Sequence, residues 1–322
     1  ILFLLYINDI SENLSLGSKI ALFADDAKIF RHIFDFTDCL ALQADLHTLE
    51  NWSKTWQMNF NAKKCKIISI ARNIRHDMSY CLNGTILEKV NHFNDLGIII
   101  TSDMTWDHHI RSKVSKANQL LGMIKRSIGP NAPTHLKKMF YSTLIKPTIL
   151  YASVIWAANR HYQNFIESVQ RRATKYILND YSSDYRSRLL KLKMLPLGYI
   201  KEIADACFLY KCLHGYCNIN INDFVNFYDN SASRTRAANQ HLLLIPRNIK
   251  TQNFASFYTN RITYQWNSIP NSVRCLIPSN KPIAAFKRNI RDYYVGLTRT
   301  KFDVDDACTW TTCCRCPKCR PT

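Results

Sequence analysis

The sequence predicts an α+β fold, with a small antiparallel sheet and its helices in the first hundred residues and a mostly α-helical remainder. Three observations carry this. Short apolar runs separated by turn residues fill residues 20–30 and 78–100. Between them, Leu42, Leu46, Leu49 and Trp56 recur at helical spacing. From about Trp106 the helical period takes over, and basic side chains accumulate with it.

The chain has 322 residues, enough for one large or two ordinary domains. A hydrophobic content of 47% supports a real core, and only 8 glycines argue against disorder. The net charge is +19, unevenly spread: residues 1–60 carry four Lys/Arg and eight Asp/Glu, the rest 39 and 16. An acidic start joined to a basic remainder suits a metal-centred site followed by a polyanion-binding region. No run is long enough to span a bilayer, so no membrane partner is expected. Ile1 to Ile7 is apolar but lacks the basic start and cleavage site of a signal peptide. The chain starts without Met, inside a helical pattern, and so reads as a fragment of a longer reading frame. Twelve cysteines without a secretory signal read as thiols or metal ligands rather than disulfides.

Residues 1–16 read as a helix with Asn8-Asp9 near its end, then a turn at Gly17-Ser18. Ile20, Leu22 and Phe23 precede Asp25-Asp26, and Ile29 and Phe30 follow, which reads as strand, tight turn, strand with the acids at the tip. Two readings of that pair stand: a solvated turn, since Asp bonds nearby backbone N–H groups, or a magnesium site, since a divalent cation relieves the repulsion between adjacent carboxylates. Thr37 or Asp38 caps the helix that runs to Trp56. Ile67, Ile68 and Ile70 form a strand. Tyr80 and Leu82, the turn Asn83-Gly84, and Ile86-Leu87 form a hairpin, and Phe93, Leu96 and Ile98–Ile100 a further strand.

Beyond Trp106, the residues Ile110, Val114, Ala117, Leu121, Ile124 and Ile128 make an apolar stripe, with Arg111, Lys113, Lys116, Lys125 and Arg126 on other faces. Helices follow at 134–145, 148–158 and 162–178, with a break or kink at Pro147. In the last, Phe165, Val169, Ala173 and Tyr176 form the buried side, beside a basic cluster of Arg171, Arg172 and Lys175. These cations read either as an ordinary solvated face or as phosphate contacts. Residues 184–214 are helical with a break at Pro196, about 218–250 is irregular, and Phe254, Phe257, Ile262 and Trp266 mark a helix ending before Pro270. In the tail, Cys316-Pro317-Lys318-Cys319 has zinc-knuckle spacing, and Cys308 with Cys313 supplies a second, irregular pair; a frayed reduced tail is the other reading.

Phe23-Ala24-Asp25-Asp26 resembles the active-site hairpin of reverse transcriptases, and its context resembles the non-LTR, LINE-type retrotransposon branch. Leu2-Phe3-Leu4-Leu5-Tyr6-Ile7-Asn8-Asp9-Ile10 resembles the preceding helix, and Leu42 to Leu46 with Trp52 to Asn61 the next helix and return strand. The resemblance implies a partial palm with active-site hairpin and primer grip over 1–105, a helical thumb over 106–180, a helical extension over 181–300 and a cysteine-rich tail over 301–322. It implies an RNA-directed DNA polymerase adding deoxynucleotides by two-metal phosphoryl transfer. Asp25 is then a direct magnesium ligand and Asp26 a supporting one. Lys64, or Lys63, stands near the leaving phosphate, and the basic helices track an RNA template and DNA primer. In the primer grip the family's aromatic before Leu-Gly is replaced by Asp95. The first catalytic strand, the fingers and any endonuclease would lie upstream, so the isolated chain is expected to be inactive. The alternative is an inactive nucleic-acid-binding remnant. The element's setting is intracellular, nuclear and cytoplasmic.

Overall fold

Ser18–Phe23 (β1) and Asp26–Arg31 (β2) pair antiparallel in full register, from Ser18 opposite Arg31 to Phe23 opposite Asp26. This is the hairpin expected at 20–30, longer at its base. The computed structural model describes residues 2–71, 78–156, 160–228, 242–245, 252–274, 282–303 and 305–311. It divides into two units, 1–105 and 106–322.

In the first unit, helix α1 spans only Leu2–Ile7, and turns rather than helix carry the chain to Gly17. Helix α2, Phe36–Trp56, starts two residues earlier than the apolar pattern indicated. Its N-cap is Asp35, not Thr37 or Asp38. The Asp35 carboxylate accepts from the Asp38 N–H, and Asp38 reaches back to the Asp35 N–H, a capping box built from two aspartates. Cys39, Leu46 and Leu49 bury one side of α2 in a small core with Ile7, Ile10, Tyr80, Leu82 and Leu87, against which Ile20 and Ile29 of the hairpin pack.

The rest of this unit is a set of short pairs rather than one sheet. Lys66–Ile67 (β3) pairs parallel with Glu88–Lys89 (β6), the one parallel pair among the described strands. Cys81–Leu82 (β4) and Thr85–Ile86 (β5) join through Asn83-Gly84, both at positive φ (49° and 70°), as an Asn-Gly hairpin turn requires. His92–Asp95 (β7) and Ile98–Thr101 (β8) form a third hairpin. Leu96 was expected within a strand. It lies in the turn instead, at φ 47°, with Gly97 at 81°.

The second unit is helical. Helix α3, Asp107–Ile128, buries Ile110, Val114, Ala117, Leu121 and Ile124 as its stripe predicted. Helix α4, Thr134–Phe140, continues through a π-helical turn, Tyr141–Ile145, into α5, Lys146–Leu150, so Pro147 is absorbed at the second residue of α5 without ending the rod. The helix expected to reach 158 stops at Leu150, where turns begin. Helix α6, Arg160–Leu178, buries Ile166, Val169, Ala173, Tyr176 and Ile177, whereas Phe165, expected inside, is exposed. Helices α7, Tyr185–Leu192, and α8, Leu197–Leu213, flank the break at Pro196. Helices α9, Gln252–Ser256, α10, Tyr258–Ser268, and α11, Asn271–Arg274, follow; Ile262 and Trp266 are buried and Phe254 and Phe257 exposed. Helix α12, Ile283–Thr300, stacks Phe286 on Tyr210 of α8, with ring centroids 4.5 Å apart. No described helix is long and apolar enough to cross a membrane.

Candidate active-site hairpin and basic helices

Asp25 occupies the two-residue turn between β1 and β2, preceded by Ala24 at φ 51°, and Asp26 opens β2 opposite Phe23. Both aspartates are exposed. The sequence pattern therefore placed the pair correctly, with one refinement: Asp25 is in the turn and Asp26 is the first strand residue.

The base of the hairpin is held by α2. Asp45 is buried, at 2% exposure, and accepts from the Ser15 N–H (2.7 Å), the Ser15 hydroxyl (2.8 Å) and the Ser18 hydroxyl. One turn pair earlier on α2, Asp38 accepts from Arg31 Nε and pairs with its Nη2, both at 3.0 Å. Arg31 Nη1 also donates to the Leu16 carbonyl at 2.9 Å and to the hydroxyls of Ser15 and Ser18. Hydrogen bonds from the Phe34 N–H and then Arg31 hold the Asp38 carboxyl below its usual range. Gly17 is required here. Its φ is +98°, and a Cβ would stand 3.3 Å from the Arg31 guanidinium. Farther along β2, Lys28 Nζ meets Asp95 Oδ2 at 2.6 Å. Lys64 is exposed in the turn closed by its N–H to the Asn61 carbonyl, and no described hydrogen bond or ion pair joins it to Asp25 or Asp26.

The predicted cations of the second unit differ in their surroundings. Lys116, Arg126 and Arg172 are exposed. Four lean on aromatic rings. Arg111 stands 5.5 Å from the Tyr162 centroid, Lys113 5.4 Å from Tyr151, and Lys125 5.6 Å from Tyr176. Burial, then repulsion from Lys116, lowers the Lys113 pKa. Arg171 lies 4.8 Å from the Trp310 centroid and 5.4 Å from Tyr185, beside buried Glu167. Lys175 is half-buried.

Two curated relatives match the chain. Both are described as RNA-directed DNA polymerase from mobile element jockey. The one from Drosophila funebris is 27% identical over 169 residues, and the one from Drosophila melanogaster 25% identical over 170. Each match covers 49% of this chain and 18% of the relative. The chain is similar to non-LTR reverse transcriptases. No family model matches it, and no solved structure does.

The hairpin tip presents two exposed carboxylates, hard oxygen donors of the kind a divalent cation takes. Among the described residues no third His, Cys, Asp or Glu joins them. The zinc reading of the tail falls outside the described residues at Cys313, Cys314, Cys316 and Cys319; Cys308 lies in a short 3-10 turn, Ala307–Trp310, and its side chain is not described. The sequence reading missed Arg31, Asp45 and the Lys28–Asp95 pair. A usable signal existed for Asp45. Asp38 and Asp45 stand seven apart, on one face of a helix directly following the hairpin.

Proposed function

We propose that this chain is part of a non-LTR retrotransposon's RNA-directed DNA polymerase. In this reading the first unit contributes part of the palm, and the second contributes the thumb and helical extension. Asp25 and Asp26 hold magnesium. When bound, the metal lowers the pKa of the attacking hydroxyl and neutralises the triphosphate. The hairpin's own task is to present two carboxylates at a fixed point, with α2 holding its base. Lys64 meets the leaving phosphate, and the second unit's cations bind the template–primer through phosphates, independent of sequence. The observation that supports this best is the exposed Asp25-Asp26 pair at the tip of a hairpin braced from α2, in a chain similar to known polymerases.

The test is primer extension on an RNA template with magnesium. Residues 1–322 alone should extend no primer, because two carboxylates leave the metal under-ligated and positioning supplies much of the rate. Joined to a segment supplying a further carboxylate strand, the protein should extend, and Asp25→Asn should abolish extension. Activity that survives Asp25→Asn sinks the catalytic assignment. A second reading is a non-catalytic nucleic-acid-binding remnant that keeps the second unit's cations without turnover. Nucleic-acid binding without extension in the joined protein would select it.

A further inference from the structure

Alternate residues of a strand share a face, so β2 sends Asp26, Lys28 and Phe30 to one side of the hairpin. Lys28 follows Asp26 on that side by two residues, roughly 7 Å along the strand. A lysine stem of four methylenes reaches that far, so Asp26 has a cation from its own strand within range. In the structure this cation is engaged elsewhere. Lys28 Nζ donates to Asp95 at 2.6 Å, and Asp95 closes β7 just before the Leu96-Gly97 turn. The Asp95 side chain is 16% exposed and that of Lys28 44%, so the acid is the embedded partner and the flexible lysine comes to it. The acid that stands where the resembled primer grip carries an aromatic thus has a specific match on the hairpin.

We infer that Asp95 is a positioning residue that draws Lys28 off Asp26 and leaves both tip carboxylates open to a divalent cation. This rests on the reading of Asp25 and Asp26 as metal ligands. Without Asp95, Lys28 swings back to the nearest carboxylate and competes with the metal for it. Without Lys28, Asp95 has nothing to withhold, and its own removal changes nothing at the tip. A bridge that served only to tie two hairpins together would give a different pattern, since removing either end would break it equally.

The experiment is a Mn2+ titration of residues 1–322, reading free Mn2+ by electron paramagnetic resonance at low ionic strength, with circular dichroism to confirm folding. Asp95→Asn should bind Mn2+ about two- to five-fold more weakly, the range of an exposed ion pair. Lys28→Met should bind at least as tightly as the wild type, and the double variant should match Lys28→Met. Equal weakening by the two single changes overturns the inference while leaving the metal site standing. So does simple additivity in the double variant, which a mere change of net charge produces. Wild-type Mn2+ binding that is indifferent to Asp25→Asn overturns the metal reading itself, and the inference with it.

Discussion

Lys201 of α8 is buried with its ammonium 4.2 Å from the Trp156 ring centroid. Burial, and then the nearby Arg261, pushes its pKa down to about 7 against the pull of Asp205 and Glu202. The His109 ring of α3 lies 5.5 Å from that of Trp156, its own pKa lowered to about 4 by burial and then by Lys113 and Lys201. Between pH 7 and 10.5 the unfolded chain holds a proton on Lys201 that the folded chain has released, so stability should rise with pH across that window. Lys201→Met should flatten this rise and add stability most at and below pH 7, by an amount on the order of a few kcal/mol, seen as a higher melting temperature there. Thermal melts from pH 6 to 10 check it, and an unchanged slope would show that Lys201 is charged in the folded protein. Nothing in the sequence around Lys201 announces this, because its partners come from positions 109, 156, 205 and 261. Asp25 and Asp26, by contrast, were legible because their chemistry is local to one turn.

At the scale of elements, the hairpin of β1 and β2 was legible from alternation, but the lock at its base was not. Asp45 shares a helix face with Asp38, seven residues earlier, but only the fold brings Ser15 and Ser18 to Asp45 and Arg31 to Asp38. Asp45→Asn replaces an acceptor-only group with one that must also donate, into a buried site already filled by donors. It should cost about 1–3 kcal/mol and speed hydrogen exchange of the amides from Ser18 to Arg31. Protection unaltered in that stretch would mean the base is held by apolar packing alone. The turn of β7 and β8 offers the opposite case. Leu96 takes a left-handed conformation that suits Asn, so Leu96→Asn should stabilise the first unit by about 0.5–1 kcal/mol in urea unfolding. On α3, the stripe of small and branched apolar residues gave five buried positions from Ile110 to Ile124 but not the half-buried Ile128 or the buried His109, while which of its cations meet rings depends on tyrosines outside the helix. Reversing exposed Lys116 and Arg126 to Glu should weaken binding to any RNA–DNA duplex alike and lessen its salt dependence, by about one in the logarithmic slope for each contact removed. Equal affinity at low salt would remove α3 from the interface.

At the scale of the whole molecule, the two units differ in how they reach stability. The first is a long helix and four short strand pairs around a small core that leaves Phe23, Phe30, Phe34 and Phe36 exposed. The second packs nested helices around two apolar clusters rich in Trp, Tyr and Phe. Buried apolar area sets resistance to unfolding, so urea should unfold the first unit before the second, with separate transitions by proteolysis and by circular dichroism. A single coincident transition would show that the units stabilise each other strongly. The second unit also draws on its far end. A Cβ on Gly198 would overlap the Trp310 carbonyl, Tyr199 donates its hydroxyl to the Thr309 carbonyl at 2.7 Å, and Phe302 is wholly buried. That feature bears on how the protein is made. A ribosome delivers Phe302 and Trp310 after every helix they pack against, so the start of α8 waits with an unfilled seat while the last helix is still emerging. The first unit, whose core is complete by Leu87, can close long before then. Synthesis thus delivers this small core well before the second unit's, and the nascent chain's exposure to chaperones and proteases is concentrated in the second.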